Sequence, residues 1–224
     1  MSEDNAPGSS ELDRQNNEVV AALKKIRTFS MLSIAGNVVD LAAFIIVVLS
    51  IGVILKDTSS ASKLLASAGL AIFSASFLSI GASVLMLVSF VYLRSGYGML
   101  KKSSERFNSP YTGINLFFVG LILIVVAVLL VLGGALASSL GLILGGFAIL
   151  IVAGIMILLG EILGLILGSF RMRDYFNDST FSTAGIMFII GIFFALFSFI
   201  GAILVYLGAN SVIKRIQKHA SALS

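Results

Sequence analysis

Residues 107–160 contain no Asp, Glu, Lys or Arg, and most of them are Leu, Ile, Val, Gly, Ala or Phe. A stretch of this length without a charge has no polar face to turn to water, so its helices are apolar all round and need lipid or a very large core around them. A bilayer is crossed by about 20 such residues. The stretch therefore begins two crossings, residues 113–132 and 140–170, joined by the small-residue turn at 133–139. Similar runs at 29–55, 64–93 and 183–209 continue the pattern through a chain that is 58% hydrophobic and only 12% charged, which excludes a soluble core. The expected fold is an all-α, polytopic transmembrane helix bundle of about five spans, forming a single domain over residues 18–209 with the lipid bilayer as its solvent.

The polar segments set the expected orientation. Residues 1–17 are polar and carry Glu3, Asp4, Glu11 and Asp13 against Arg14, a composition that predicts disorder. The acidic start and the long first apolar run do not fit a cleaved secretory signal. In residues 18–28, Val19, Val20, Leu23 and Ile26 alternate with Lys24, Lys25 and Arg27. That spacing predicts a short N-terminal amphipathic helix at the membrane surface, or equally the first turns of the first span. With five crossings, the N-terminus and the loops at 94–112 and 171–182 share one side and hold ten Lys and Arg. The other side holds five, three of them in the basic tail at 210–224. Counting basic residues then predicts a multi-pass cell-membrane protein with its N-terminus cytoplasmic and its C-terminus outside. A re-entrant segment would return the tail to the cytoplasm, although no interval has length to spare for a clean extra span.

The catalytic vocabulary is small. There is no cysteine, and the single histidine, His219, lies in the polar tail. No metal-binding helix motif, nucleophile elbow or phosphate-cradling glycine loop is present, so no enzyme, metal site or cofactor is expected. No basic run is dense enough for nucleic acid, and the positive charge suits anionic lipid headgroups instead.

Two acids lie inside the spans, where a charged carboxylate costs about 2.5–3.5 kcal/mol on insertion scales. Asp40 ends a stripe in which Ser30, Ser33 and Asn37 recur at steps of three and four, as a water-accessible crevice would require. Glu161 shares a helical face with Gly154, Gly164 and Gly168 in a glycine-rich span that also contains Gly160, and these small residues are candidates for close helix packing. With no Lys, Arg or His inside any span, the acids are expected at similar depth, facing protein or water. Asn37, Asn115 and the serines are their candidate hydrogen-bond partners.

A faint repeat runs through the chain. Leu23-Lys24-Lys25 with Phe29 and Gly36 is echoed by Leu100-Lys101-Lys102 with Phe107 and Gly113, and more loosely around Phe170-Arg171 and Gly185. It fits related helix pairs, or more simply the basic connectors that precede each inward-entering span. The combination of Leu100 with its basic pair, Phe107, Tyr111-Thr112-Gly113 and Gly120 resembles an archaeal family of multi-pass membrane proteins known as domain of unknown function 973. The resemblance extends from about Glu18 to the C-terminus. It implies an integral membrane protein and brings no activity or functional residues with it. Two readings follow. The favoured one is a structural or partner-binding membrane subunit, in which protonated acids hydrogen-bond across interfaces and small-residue faces bind another copy or another membrane subunit. The alternative is a proton- or cation-coupled transporter or channel using Asp40 and Glu161, with Asn37 and Ser33 lining the approach.

Overall fold

The computed structural model describes the backbone over residues 7–56 and 61–223, and side chains over 14–50, 73–194 and 196–219. Among the described residues all regular structure is helical: α1 (Pro7–Lys56), α2 (Ala61–Ser103), α3 (Asn108–Leu136), α4 (Leu140–Glu161), α5 (Leu167–Phe176), α6 (Ser179–Gly191) and α7 (Ala195–Leu223). A π-helical turn, Ile162–Ile166, joins α4 to α5 without a break in direction, and a 3-10 turn, Glu105–Phe107, leads into α3. Among the described residues, five helical stretches are long and apolar enough to cross a membrane, and α6 is apolar but shorter. The fold is an all-α bundle, as the composition requires.

The helices pair as three antiparallel hairpins. In the first, Ser33 of α1 donates to Ser89 of α2 at 3.1 Å, and Gly96 of α2 faces Ile26 of α1. In the second, Gly120 of α3 meets Ile157 of α4, and near the turn Gly134 meets Ile143. In the third, Gly191, Phe188 and Phe181 of α6 meet Ser198, Gly201 and Gly208 of α7 in strict antiparallel register. Each hairpin opens from the same end, which is where the sequence echoes begin. The third hairpin docks on α1, where Arg27 donates to the Asn210 side chain at 3.3 Å, and on the end of α5, where Arg215 donates to the Phe176 carbonyl.

Burial changes character along the bundle axis. At the shared end Leu23, Ile26, Tyr97, Phe107, Phe181 and Val212 are fully buried in one aromatic-rich core. Exposed large apolar side chains begin within about one helical turn of a common level, at Met31 on α1, Val91 on α2, Val119 on α3, Ile162 in the π-helical turn, Ile186 on α6 and Leu207 on α7. Beyond that level they continue on the outer faces of α1 to α4, with Phe77 71% exposed and Leu129 64% exposed. On α4 this belt runs from Ile162 back to Leu140, roughly 33 Å at 1.5 Å per residue, the thickness of a hydrocarbon core. The molecule is thus a packed helical collar under a lipid-type belt.

Several expectations are revised by this arrangement. Residues 18–28 are the first turns of a long α1 rather than a surface-lying helix, because Val19, Ala22, Leu23 and Ile26 are taken up by the collar core. Helix α1 begins at Pro7, so residues 7–17 are helical where composition predicts disorder, while residues 1–6 lie outside the described structure. Proline suits a first helical position because its missing N–H is not needed there. The span expected at 183–209 is two helices, α6 and α7, which reverse direction over Ile192, Phe193 and Phe194. The tail consequently lies at the same end as Arg27, not opposite to it. Every Lys and Arg except Lys56 and Lys63 belongs to the collar end.

Candidate functional site

Helix α6 has 13 residues, about 20 Å of helix, and so stops part-way through the belt. Outward of its turn, nothing of its own hairpin fills the space between the other two. The result is a cavity of about 490 Å³ between the α1–α2 and α4 faces, with the α6–α7 turn as its third wall.

The cavity's polar groups come from three helices. Helix α1 contributes Ser33 and Asn37, α4 contributes Glu161, and α7 contributes Ser198. Phe29, Phe90 and Phe188 form the collar side of the cavity. Phe90 stacks on Phe117 with ring centroids 4.0 Å apart and is tilted against Phe29 at 5.7 Å, so the approach from the collar is closed by aromatic packing. The rim is open on the opposite flank. Gly154, Leu158 and Ile192 line the cavity and are exposed, and a side chain added at Gly154 would meet nothing within 4 Å.

The stripe from Ser30 to Asp40 divides at this cavity. Ser30 is fully buried and donates to the Ile26 carbonyl at 3.2 Å, Ser33 reaches Ser89, and Asn37 donates to the Ser33 carbonyl at 2.8 Å. The collar end of the stripe is therefore packed shut against α2 and is no water-filled approach from the basic end. Asn37 and Ser33 meet Glu161 around one cavity. Asp40 does not join them: it lies beyond the lining residues and is exposed. It also lies nine residues past Met31, roughly 14 Å into the belt, whereas Glu161 adjoins Ile162, where the belt begins. The two acids thus differ in depth. Asn115 accepts from Arg94 at 2.6 Å in the collar, away from both acids.

Glu161 is held at the point where α4 gives way to the π-helical turn. The extra residue in such a turn re-aims side chains, and π-turns recur at functional sites. Gly160, on the adjacent face, lets the Phe117 backbone approach so closely that an added Cβ would lie 2.7 Å from its nitrogen. Gly164 packs on Ile114 and Gly168 on the Tyr97 hydroxyl. These three glycines seat α4 and α5 against α3 and α2, while Gly154 faces open space instead of a helix. Glu161 makes no hydrogen bond or salt bridge among the described residues, and no cluster of three metal-ligating side chains occurs among them.

Sequence reasoning missed the contributions of Met86, Phe188 and Ser198. They look like ordinary span residues: Met86 arrives on α2 through the α1–α2 hairpin, and only the reversal between α6 and α7 brings Phe188 and Ser198 to Glu161.

No curated protein and no solved structure matches the chain. A family model described as a protein of unknown function (DUF973) matches residues 19–224, which takes in the collar, the belt and every residue of the cavity. The chain belongs to the DUF973 family.

Proposed function

We propose that the protein is an integral membrane transporter that binds a cation at Glu161, in exchange for a proton, with both termini in the cytoplasm. The observation that carries this reading is a carboxyl group with no hydrogen bond or salt bridge among the described residues, in a cavity of about 490 Å³ that also holds Asn37, Ser33 and Ser198. A net charge is expensive where burial strips away water and no partner replaces it. The carboxyl is therefore neutral as an acid or neutralised by a cation, and each displaces the other. The backbone reversal at Ile192, Phe193 and Phe194 supports the same reading, because irregular backbone at membrane depth is tolerated where it borders protein or a wet cavity.

The orientation rests on the distribution of charge. With only Lys56 and Lys63 away from the collar end, the positive-inside rule puts the collar, the N-terminal end of α1 and the tail in the cytoplasm. The partner-binding reading draws on small-residue faces, of which Gly160, Gly164 and Gly168 pack inside this chain, and leaves the exposed faces of α1 to α4 for a partner to cover. Lipid covers those faces equally well, so the cavity with its carboxylate favours the transporter reading. A binding and carrying role also leaves no call for catalytic residues.

The experiment is flux in sealed vesicles of reconstituted protein, with a pH dye inside and a cation gradient imposed. The wild type is expected to move protons against the cation gradient, and Glu161→Gln to lower the rate at least tenfold while eluting as the same folded species. Asp40→Asn is expected to leave the rate within about twofold. Equal rates for wild type and Glu161→Gln would remove the proposal.

A further inference from the structure

The shape and level of the cavity narrow the class of cation, on the assumption that Glu161 is the binding carboxylate. Three observations bear on it. Glu161, the last residue of α4, adjoins Ile162, at which the apolar belt begins, so its carboxyl group lies at the inner edge of the hydrocarbon. From there the cavity runs away from the collar along Ile157, Leu158 and Met86, an apolar wall with Asn37 and Ser198 as the polar groups of its outer end. Its open rim, at Gly154, Leu158 and Ile192, lies within the belt and faces lipid, whereas the aqueous side is closed by the stack of Phe90 on Phe117.

A small inorganic cation would have to cross lipid to reach this rim and would then find one carboxylate, one amide and two hydroxyls, short of the six to eight oxygens a hard cation takes. An alkylammonium meets the opposite balance. Its head is satisfied by one carboxylate beside aromatic side chains, here Phe29, Phe90 and Phe188, and its tail gains from every apolar contact. The volume falls in the range that encloses a small organic ligand.

We propose that the cavity takes amphiphilic organic ammonium ions laterally from the inner leaflet, with the head at Glu161 and the hydrocarbon tail pointing toward the membrane centre. Entry is sideways through the Gly154 rim, and the proton leaves Glu161 as the ammonium pairs with it, so the site stays neutral throughout.

The test uses the full chain in lipid nanodiscs, with empty nanodiscs as the background and radiolabelled decyltrimethylammonium as the probe. Choline serves as the head without a tail, and sodium as the inorganic cation. Saturable binding by the wild type is expected, weakened at least tenfold by Glu161→Gln and by Gly154→Phe, and not displaced by choline or sodium at a hundredfold excess. A fold check by elution profile and thermal unfolding accompanies both variants, and Gly154→Ala, expected to bind as wild type, controls for the backbone. Absence of saturable binding, displacement by choline or sodium, or undiminished binding by a folded Gly154→Phe would overturn the inference. If sodium then released protons from the wild type and not from Glu161→Gln, exchange at Glu161 would stand without its amphiphile. If neither cation did so, both would fall.

Discussion

Glycine decides which sides of α4 are closed. At Gly160 an added Cβ would sit 2.7 Å from the Phe117 nitrogen and 2.8 Å from its Cα, both rigid backbone atoms, so α3 and α4 touch there with no room for a side chain. At Gly154, two turns earlier, the same Cβ meets open space. Gly160→Leu is therefore expected to lower stability by about 1–3 kcal/mol through overpacking, while Gly154→Leu leaves it within about 0.5 kcal/mol, as surface substitutions do. Thermal unfolding of the two variants in one detergent checks the contrast. The sequence puts all four glycines among the packing candidates because a helix surface made of Gly and Leu looks alike on every side. Asp40 and Glu161 are equally alike in sequence, as single acids in apolar helices. What separates them is the neighbour each meets, and that depends on where α6 ends.

At the scale of the element, the third hairpin is the part the sequence conceals. The Phe- and Gly-rich run that becomes α6 and α7 contains no proline, and its reversal at Ile192 to Phe194 is made by local backbone hydrogen bonds such as Phe193 N–H to the Ile190 carbonyl at 3.1 Å. Hydropathy measures length in residues, so a 13-residue helix followed by a 29-residue one reads as one crossing and a tail. The two long hairpins were legible because their turns are marked, one by the charged connector between α1 and α2 and the other by small residues ending at Ser138, which adopts a left-handed backbone at φ 51°. The π-helical turn after Glu161 has no marker in composition either.

The third hairpin is tied down at its base. Arg215 caps the last carbonyl of α5 at Phe176, and Asn210 accepts from Arg27, so both long-range bonds are made by the part of α7 that lies in the collar. Arg215→Ala is expected to cost about 1 kcal/mol, the scale of a partly exposed hydrogen bond from a charged donor. Hydrogen exchange should quicken in residues 208–219 while the α3–α4 hairpin is unchanged. Equal protection in both variants would mean that apolar contacts alone dock the hairpin.

For the whole molecule, the belt and the collar are two solvent regimes on one set of helices. The composition foretold the belt, since lipid accepts helices that are apolar all round. It did not foretell the collar, because its core is made of the inner halves of the same helices, such as Tyr97 and Phe107, next to surface lysines like Lys101, whose ammonium lies 4.5 Å from the Tyr111 ring. Topology is directly accessible because the chain has no native cysteine. Ala137→Cys, in the exposed turn between α3 and α4, is expected to react with an impermeant maleimide on intact cells, and Gln217→Cys only after permeabilisation. Labelling of both from outside would separate the tail from the collar and undo the orientation.

Exchange at Glu161 joins these scales, and proton release measures it most directly. When a saturating cation is added to the protein in nanodiscs in weakly buffered solution, the wild type is expected to release a proton for each cation bound, and Glu161→Gln to release none. No release from the folded wild type, or undiminished release from Glu161→Gln, would contradict the account.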